Sequence, residues 1–173
     1  TFTADTSTVT YSGTGATTVA STTFNNLTVS GATTYTLGGN TTVSTTATIS
    51  AGATLNDGGF ELTLSGSGTP LSKANGVSVF TGTEIYSAAA ATNIASSTYA
   101  NLQITGAATK TLMASTSVNT LLTVGTGATL NDGGFTLTLA GSGTPLSAAN
   151  SNNNVFTGTE IYSAAAATNI ASS

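Results

Sequence analysis

GATLNDGGFELTLSGSGTPLS, Gly52 to Ser72, returns as GATLNDGGFTLTLAGSGTPLS from Gly127 to Ser147, with differences only at Glu61/Thr136 and Ser65/Ala140. Recurrence this close marks a chain built from stacked units, each too small to bury its apolar face alone. The offset is 75 residues, and it extends outward from the block through Tyr11/Tyr86, Phe24/Tyr99, Leu27/Leu102 and Leu37/Leu112. It becomes 76 at Phe80/Phe156 and Tyr86/Tyr162, so one residue has entered where KANGVSVF becomes AANSNNNVF. An insertion tolerated at that point marks the tip of a solvent loop.

These offsets divide the chain into 1–10, the tail of a preceding unit; 11–85, a first repeat; 86–161, a second; and 162–173, the start of a further one. The whole reads as one continuous solenoid. Neither end carries the polar capping unit that a free-standing solenoid needs, which predicts that further repeats or neighbouring copies cover both ends. TFTADTSTVT, Thr1 to Thr10, has no basic and apolar leader, so an exported protein would be present in mature or excised form.

Within a unit apolar residues alternate with small polar ones, as in Leu27-x-Val29, Tyr35-x-Leu37, Ala47-x-Ile49 and Phe60-x-Leu62-x-Leu64. Period two puts these side chains on one face of short strands. Gly, Asn and Asp fall between the strands, at Gly31, Gly38 to Asn40, Gly52 and Asn56 to Gly59, where turns form. Leu27 to Ala47, Leu37 to Leu55 and Val43 to Leu64 recur at about twenty residues, the length of one coil of a three-faced parallel β-helix. The fold class is therefore all-β, a parallel β-helix of about 75-residue repeats with three or four coils each. The competing architecture is a string of small antiparallel β-sandwiches, for which 75 residues is short. Ser87 to Ala91 would form either one helical turn or a small-residue corner.

Charged residues make up only 5% of the 173-residue chain, with two lysines, no arginine, no histidine and a net charge of −4. Two isolated lysines cannot release enough counterions to hold a nucleic acid. No apolar run reaches the length of a spanning helix. The absence of Cys and His removes disulfides, thiolate metal sites and the Ser-His-Asp and Cys-His triads. Asn56-Asp57-Gly58-Gly59 and Asn131 to Gly134 are acidic turns, but they lack the short-interval pattern of calcium-binding β-rolls and read as Asx turns. The candidates for a glycosidase acid are Glu61 with Asp57, or else Glu84, yet Glu61 becomes Thr136 and Glu84/Glu160 follow an FTGT turn with no partner near in sequence. Catalytic, cofactor and metal residues are accordingly expected to be absent.

Thr-x-Thr pairs at Thr8/Thr10, Thr34/Thr36, Thr46/Thr48, Thr81/Thr83 and Thr136/Thr138 suggest an ice-binding face only if they stack, and their sequence spacing is uneven. Asn26-Leu27-Thr28 and Asn40-Thr41-Thr42 match the glycosylation sequon, whereas their counterparts at Asn101 and Ser115 do not.

The units FNNLTVSGATTYTLGGNTTVSTTATISAGATLNDGGFELTLSG and YANLQITGAATKTLMASTSVNTLLTVGTGATLNDGGFTLTLAG resemble the Thr/Gly-rich repeats of large secreted bacterial surface proteins and β-helical adhesins. The resemblance implies an extracellular fibre, sheath or stalk and carries over no catalytic or binding residue. The expectation is thus a non-enzymatic, cell-surface structural protein whose partners are copies of itself, stacked head to tail, or further repeats of the same chain. The alternative is an adhesin module binding surface glycans, with Tyr35, Tyr99 and Asn150 to Asn154 as contacts. With so few charges, stability is expected to depend little on salt, or on pH between about 5 and 9.

Overall fold

The computed structural model describes residues 5–149 and 154–169. After β1 (Thr8–Tyr11), which ends a preceding unit, the first repeat is built from β2 (Thr17–Val19), β3 (Thr23–Val29), β4 (Thr34–Leu37), β5 (Thr41–Ile49) and β6 (Thr54–Asn56). It continues through β7 (Glu61–Leu64), β8 (Leu71–Lys73), β9 (Val77–Val79) and β10 (Thr83–Tyr86). The second follows as β11 (Thr92–Ile94), β12 (Thr98–Ile104), β13 (Ala108–Leu112), β14 (Thr116–Val124), β15 (Ala128–Asn131), β16 (Thr136–Leu139), β17 (Leu146–Ala148) and β18 (Thr159–Tyr162). Every pairing between these strands is parallel. The molecule is a β-solenoid of about eight turns, and the antiparallel sandwich is excluded. The described residues contain no helix, and Ser87 to Ala91 is a corner.

Why these residues stack is visible in the inward positions. Leu27 and Ala47 pair directly, as do Val43 and Leu64, so the twenty-residue spacing is a register. Leu55 lies on Tyr35 rather than Leu37, because β4 and β6 are offset by the turn between them. Inward side chains form one continuous core that includes Phe24, Leu27, Val29, Leu37, Ile49, Leu64, Tyr86, Ile104, Val124 and Leu139. Phe60 and Phe135 are exceptions, 40% and 39% exposed, where alternation predicted them inside with Leu62 and Leu64. Each closes a turn whose Asp carbonyl accepts the Phe amide hydrogen, at 3.1 Å, so the strand and its alternation start one residue later.

β3 and β5 are long because each bends round a corner. The register between them slips after Phe24/Asn26, and Ser44 and Thr45 lie exposed at the bend. Each half of β5 then supports a different strand, Thr41–Val43 carrying β7 and Ala47–Ile49 carrying β8. Counting both halves of β3 and β5, the first unit from β2 to β10 lays down eleven straight segments over three faces, or three and two-thirds turns.

Because three and two-thirds turns stop one face short of a whole number, each unit begins one face behind the last. Phe24–Val43–Leu64–Tyr86 form one ladder and Val29–Ile49–Lys73 a second. Tyr86 then pairs with Ile104, the counterpart of Val29, so the first ladder of one unit runs on as the second ladder of the next. Tyr11 on Val29 repeats this one unit earlier. The third ladder, Thr18–Thr36–Asn56–Val79, has its copy in Asn93–Thr111–Asn131–Val155, which lies above the second ladder through the Gly68–Thr92 bridge. At about 4.8 Å per turn, a unit rises about 18 Å.

Some corners admit only glycine. A Cβ on Gly66 would meet the Thr45 carbonyl oxygen at 1.8 Å, and one on Gly141 would meet that of Thr120 at the same distance. Gly66→Ala is expected to cost at least the 1–3 kcal/mol, roughly, of an overpacked core. Gly15→Ala, where nothing lies within 4 Å, should be close to neutral. Urea denaturation of the two variants tests the contrast.

Candidate functional site

Asp57 and Asp132 head the tight turns that follow β6 and β15, and both are fully buried. Asn56 makes the Asx turn expected of it, its Oδ1 accepting the Gly58 amide at 2.8 Å. Asp57 does something else. It accepts the Gly59 amide within its own turn, then the Thr81 amide, the Thr81 hydroxyl and the Gly82 amide from the next turn of the solenoid, at 2.6–3.0 Å. Asp132 repeats the set with Gly134, Thr157 and Gly158. Burial alone would raise these carboxyls, but the donors outweigh it and hold both below the usual range, Asp132 at about 2.

Glu84 completes the group. It faces inward from β10, fully buried, with neither carboxyl oxygen receiving a hydrogen bond from an N–H or hydroxyl. Its neighbour is the Asp57 carboxylate, within hydrogen-bonding reach. Burial first, and the hydrogen bond and negative charge of Asp57 second, push Glu84 up from 4.5 to about 10. Glu160 is raised for the same reasons beside Asp132. Sequence reading paired Glu84 with nothing because Asp57 lies a whole turn back along the chain. A signal was present: the counterpart of Glu84 at the 75-residue offset is Val9, an apolar inward position. A carboxyl pushed up to about 10 runs against the expectation of pH-independent stability between about 5 and 9, because such a group links stability to pH across that window.

This pair has the acids of a glycosidase but not its access, since both carboxyls are sealed inside the solenoid. Glu61 stands on the outer face, its Oε1 accepting the Thr63 hydroxyl, away from the pair. An apolar groove of about 410 Å³ lined by Val9, Tyr11, Ala20, Ser21, Thr22 and Phe24 carries one titratable group, the Tyr11 phenol. Among the described residues no three of His, Cys, Asp and Glu cluster as a metal site, and no helix is long and apolar enough to cross a membrane.

Lys110 is the second unexpected site. Its counterpart in the first repeat is Tyr35, whose single hydroxyl hydrogen is shared between the carbonyls of Gly13 and Ser30, 2.9 and 2.5 Å away. In the second repeat the Lys110 ammonium fills the same corner, fully buried, with the carbonyls of Ala88, Gly106, Ala107 and Ala108 at 2.6–3.3 Å sharing its three N–H donors. Burial lowers its pKa. A cation standing where a phenol stood could be found by aligning the repeats, but not from Lys110 alone.

The other sequence candidates sit apart. Tyr35 and Tyr99 are fully buried and cannot contact a glycan as they stand; Tyr99 stacks on Phe80 at 5.4 Å and shares a 3.1 Å hydrogen bond with Tyr86. Of the Asn-rich loop, 150–153 lie outside the described residues, and Asn154 is half-buried with its Oδ1 accepting the Leu130 amide. Thr8/Thr10 and Thr46/Thr48 do stack on one outer ladder, separated by the Asn26-x-Thr28 rung, while Thr34/Thr36 lie on another. Asn40 is exposed, its Oδ1 accepting the Glu61 amide, and Asn26 is half-buried. Comparison with family models, curated proteins and solved structures returns no match to this chain.

Lys110→Met should leave several buried carbonyls without a donor and cost about 1–3 kcal/mol. Lys110→Tyr, which restores the arrangement of the first repeat, should recover most of that loss. Denaturation midpoints of the two variants give the comparison.

Proposed function

We propose that this chain is a structural, non-enzymatic protein of the cell surface, part of a long extracellular fibre, sheath or stalk, extended by further repeats or by copies stacked head to tail. The observation that carries this reading is the hand-over of ladders between units, Tyr11 to Val29 and Tyr86 to Ile104, which lets strand pairing continue without a seam. Such end-to-end contacts are heterologous and do not close on themselves, so they propagate. A parallel strand edge of this kind is extended by backbone hydrogen bonding to a further strand. The chemistry of the interior fits a scaffold, because its acids are sealed and its outer faces are mostly Thr, Ser and Asn. Nothing in the charge distribution favours a nucleic acid.

An adhesin module binding surface glycans is the second reading, and the exposed rings of Phe60 and Phe135, one per repeat, support it. They replace Tyr35 and Tyr99 as the contacts to test. On a glycan array, binding that is lost in Phe60→Ala/Phe135→Ala would favour the adhesin, and an array without hits would count against it.

Electron microscopy of the concentrated protein tests the fibre. Rods that lengthen with concentration, with an axial spacing of about 4.8 Å in diffraction, are the expected result. Monodisperse single chains, from a gene that codes for no further units, would overturn it.

A further inference from the structure

Glu84, fully buried, and Glu160, half-buried, are inward-facing acids that a scaffold does not require, and Val9 shows that an apolar residue fits the same inward position. We propose that each dyad, Asp57 with Glu84 and Asp132 with Glu160, holds one structural proton that clasps consecutive turns of the solenoid and is surrendered as the medium becomes alkaline. The inference is independent of the fibre reading.

The geometry leaves one solution. Asp57 collects N–H and O–H donors from its own turn and the next, an arrangement that suits a carboxylate. Glu84 has both oxygens buried with no N–H or hydroxyl donor. Two anions side by side without a cation would repel, and leaving one charge unpaired inside is costly. The groups around Glu84 supply no cation. Leu62 of β7 and Leu102 of β12 flank it in the ladder, and the charges it feels are Asp57 and the phenols of Tyr86 and Tyr99. Lys73 donates to the Ser96 carbonyl, Lys110 sits in its carbonyl nest, and Glu61 is on the outer face. A proton on Glu84, donated to Asp57, removes the repulsion and gives the buried Glu84 carboxyl a hydrogen bond. Glu160 interacts with Asp132 in the same way, with one of its oxygens, Oε1, buried and unpartnered. Glu160 is only half-buried, so its clasp is the weaker.

The sign follows from counting protons. Unfolded, both acids of a dyad are ionised at neutral pH; folded, each dyad keeps one proton, which unfolding releases to solvent. Above the ordinary glutamate range, therefore, each unit rise in pH should multiply the unfolding equilibrium constant by about ten through the Asp57–Glu84 dyad, and by a smaller factor through Asp132–Glu160, until the folded acid itself ionises. Below about pH 4 the opposite loss begins, as the Asp carboxylates take up protons.

Urea denaturation of the full chain at pH 5, 6, 7, 8 and 9 tests this in the wild type, Glu84→Gln and Glu160→Gln. The wild type is expected to lose stability steadily across the series. Glu84→Gln keeps a donor toward Asp57 that does not titrate, so its slope should fall by about tenfold in the unfolding constant per pH unit, with stability at pH 9 at or above wild type. Glu160→Gln should remove a smaller share. Calorimetry in two buffers of different ionisation enthalpy should show wild-type unfolding at pH 7 releasing between one and two protons, roughly. A flat wild-type profile, no proton release, or a Glu84→Gln variant with the wild-type slope would overturn the proposal. If Glu84→Gln fails to fold, the wild-type slope and proton count decide it.

Discussion

Every turn of this molecule is held by backbone hydrogen bonds to the turns before and after it, and this parallel ladder is the constraint that the rest of the structure serves. A ladder of this kind fixes which residues meet. Once Val43 lies on Leu64 and Leu64 on Tyr86, the side chains on either side of the strand are committed to core or solvent. The sequence obeys with single apolar residues set among Thr and Ser. The two copies of the Gly52 to Ser72 block differ only at half-buried positions, 61/136 and 65/140, while Leu62/Leu137 and Leu64/Leu139 are buried in both. Packing holds the inside constant and leaves the outside open to change.

The unit does not close on a whole number of turns, and this shapes everything above the level of one coil. Each ladder is continued by a different ladder of the next unit, so a side chain at a unit boundary must pack against two kinds of neighbour. Tyr86 meets Leu64 below and Ile104 above, whereas the corresponding boundary at Tyr11 meets Val29. Equivalent outer residues, such as Thr36 and Thr111, face different directions around the rod. Eleven turns, or three units, bring the pattern back to its starting face. The buried acids and Lys110 are set into this frame at inward positions that other copies fill with Val9 and Tyr35. Polar groups there are tolerated because each finds a partner: donors for Asp57, carbonyls for Lys110, a shared proton for Glu84.

Much of the fold was legible in the residues. Alternation in Leu27-x-Val29 and Ala47-x-Ile49, with glycine and Asx between strands, is a direct record of pleat and turn, and the 75-residue offset records the stacking. Phe60 was misplaced because alternation was carried one residue into a turn. The fractional turn count was hidden because β3 and β5 each look like one strand while serving two faces. Glu84 and Lys110 were hidden for a different reason: their partners, Asp57 and the Ala88 carbonyl, are 27 and 22 residues away in sequence, and only the coil brings them together. Both could have been found by asking which inward position changes character between repeats.

The central claim is that units meet one face out of phase, and disulfide trapping in this cysteine-free chain reads it directly. The hydroxyls of Ser78 and Ser97 lie 2.8 Å apart across the boundary, where the third ladder of one unit passes to the first ladder of the next. Val79 and Asn93 would instead be adjacent if the third ladder continued into its own copy. The account predicts that oxidation closes a disulfide in Ser78→Cys/Ser97→Cys and not in Val79→Cys/Asn93→Cys. The reverse pattern would contradict it.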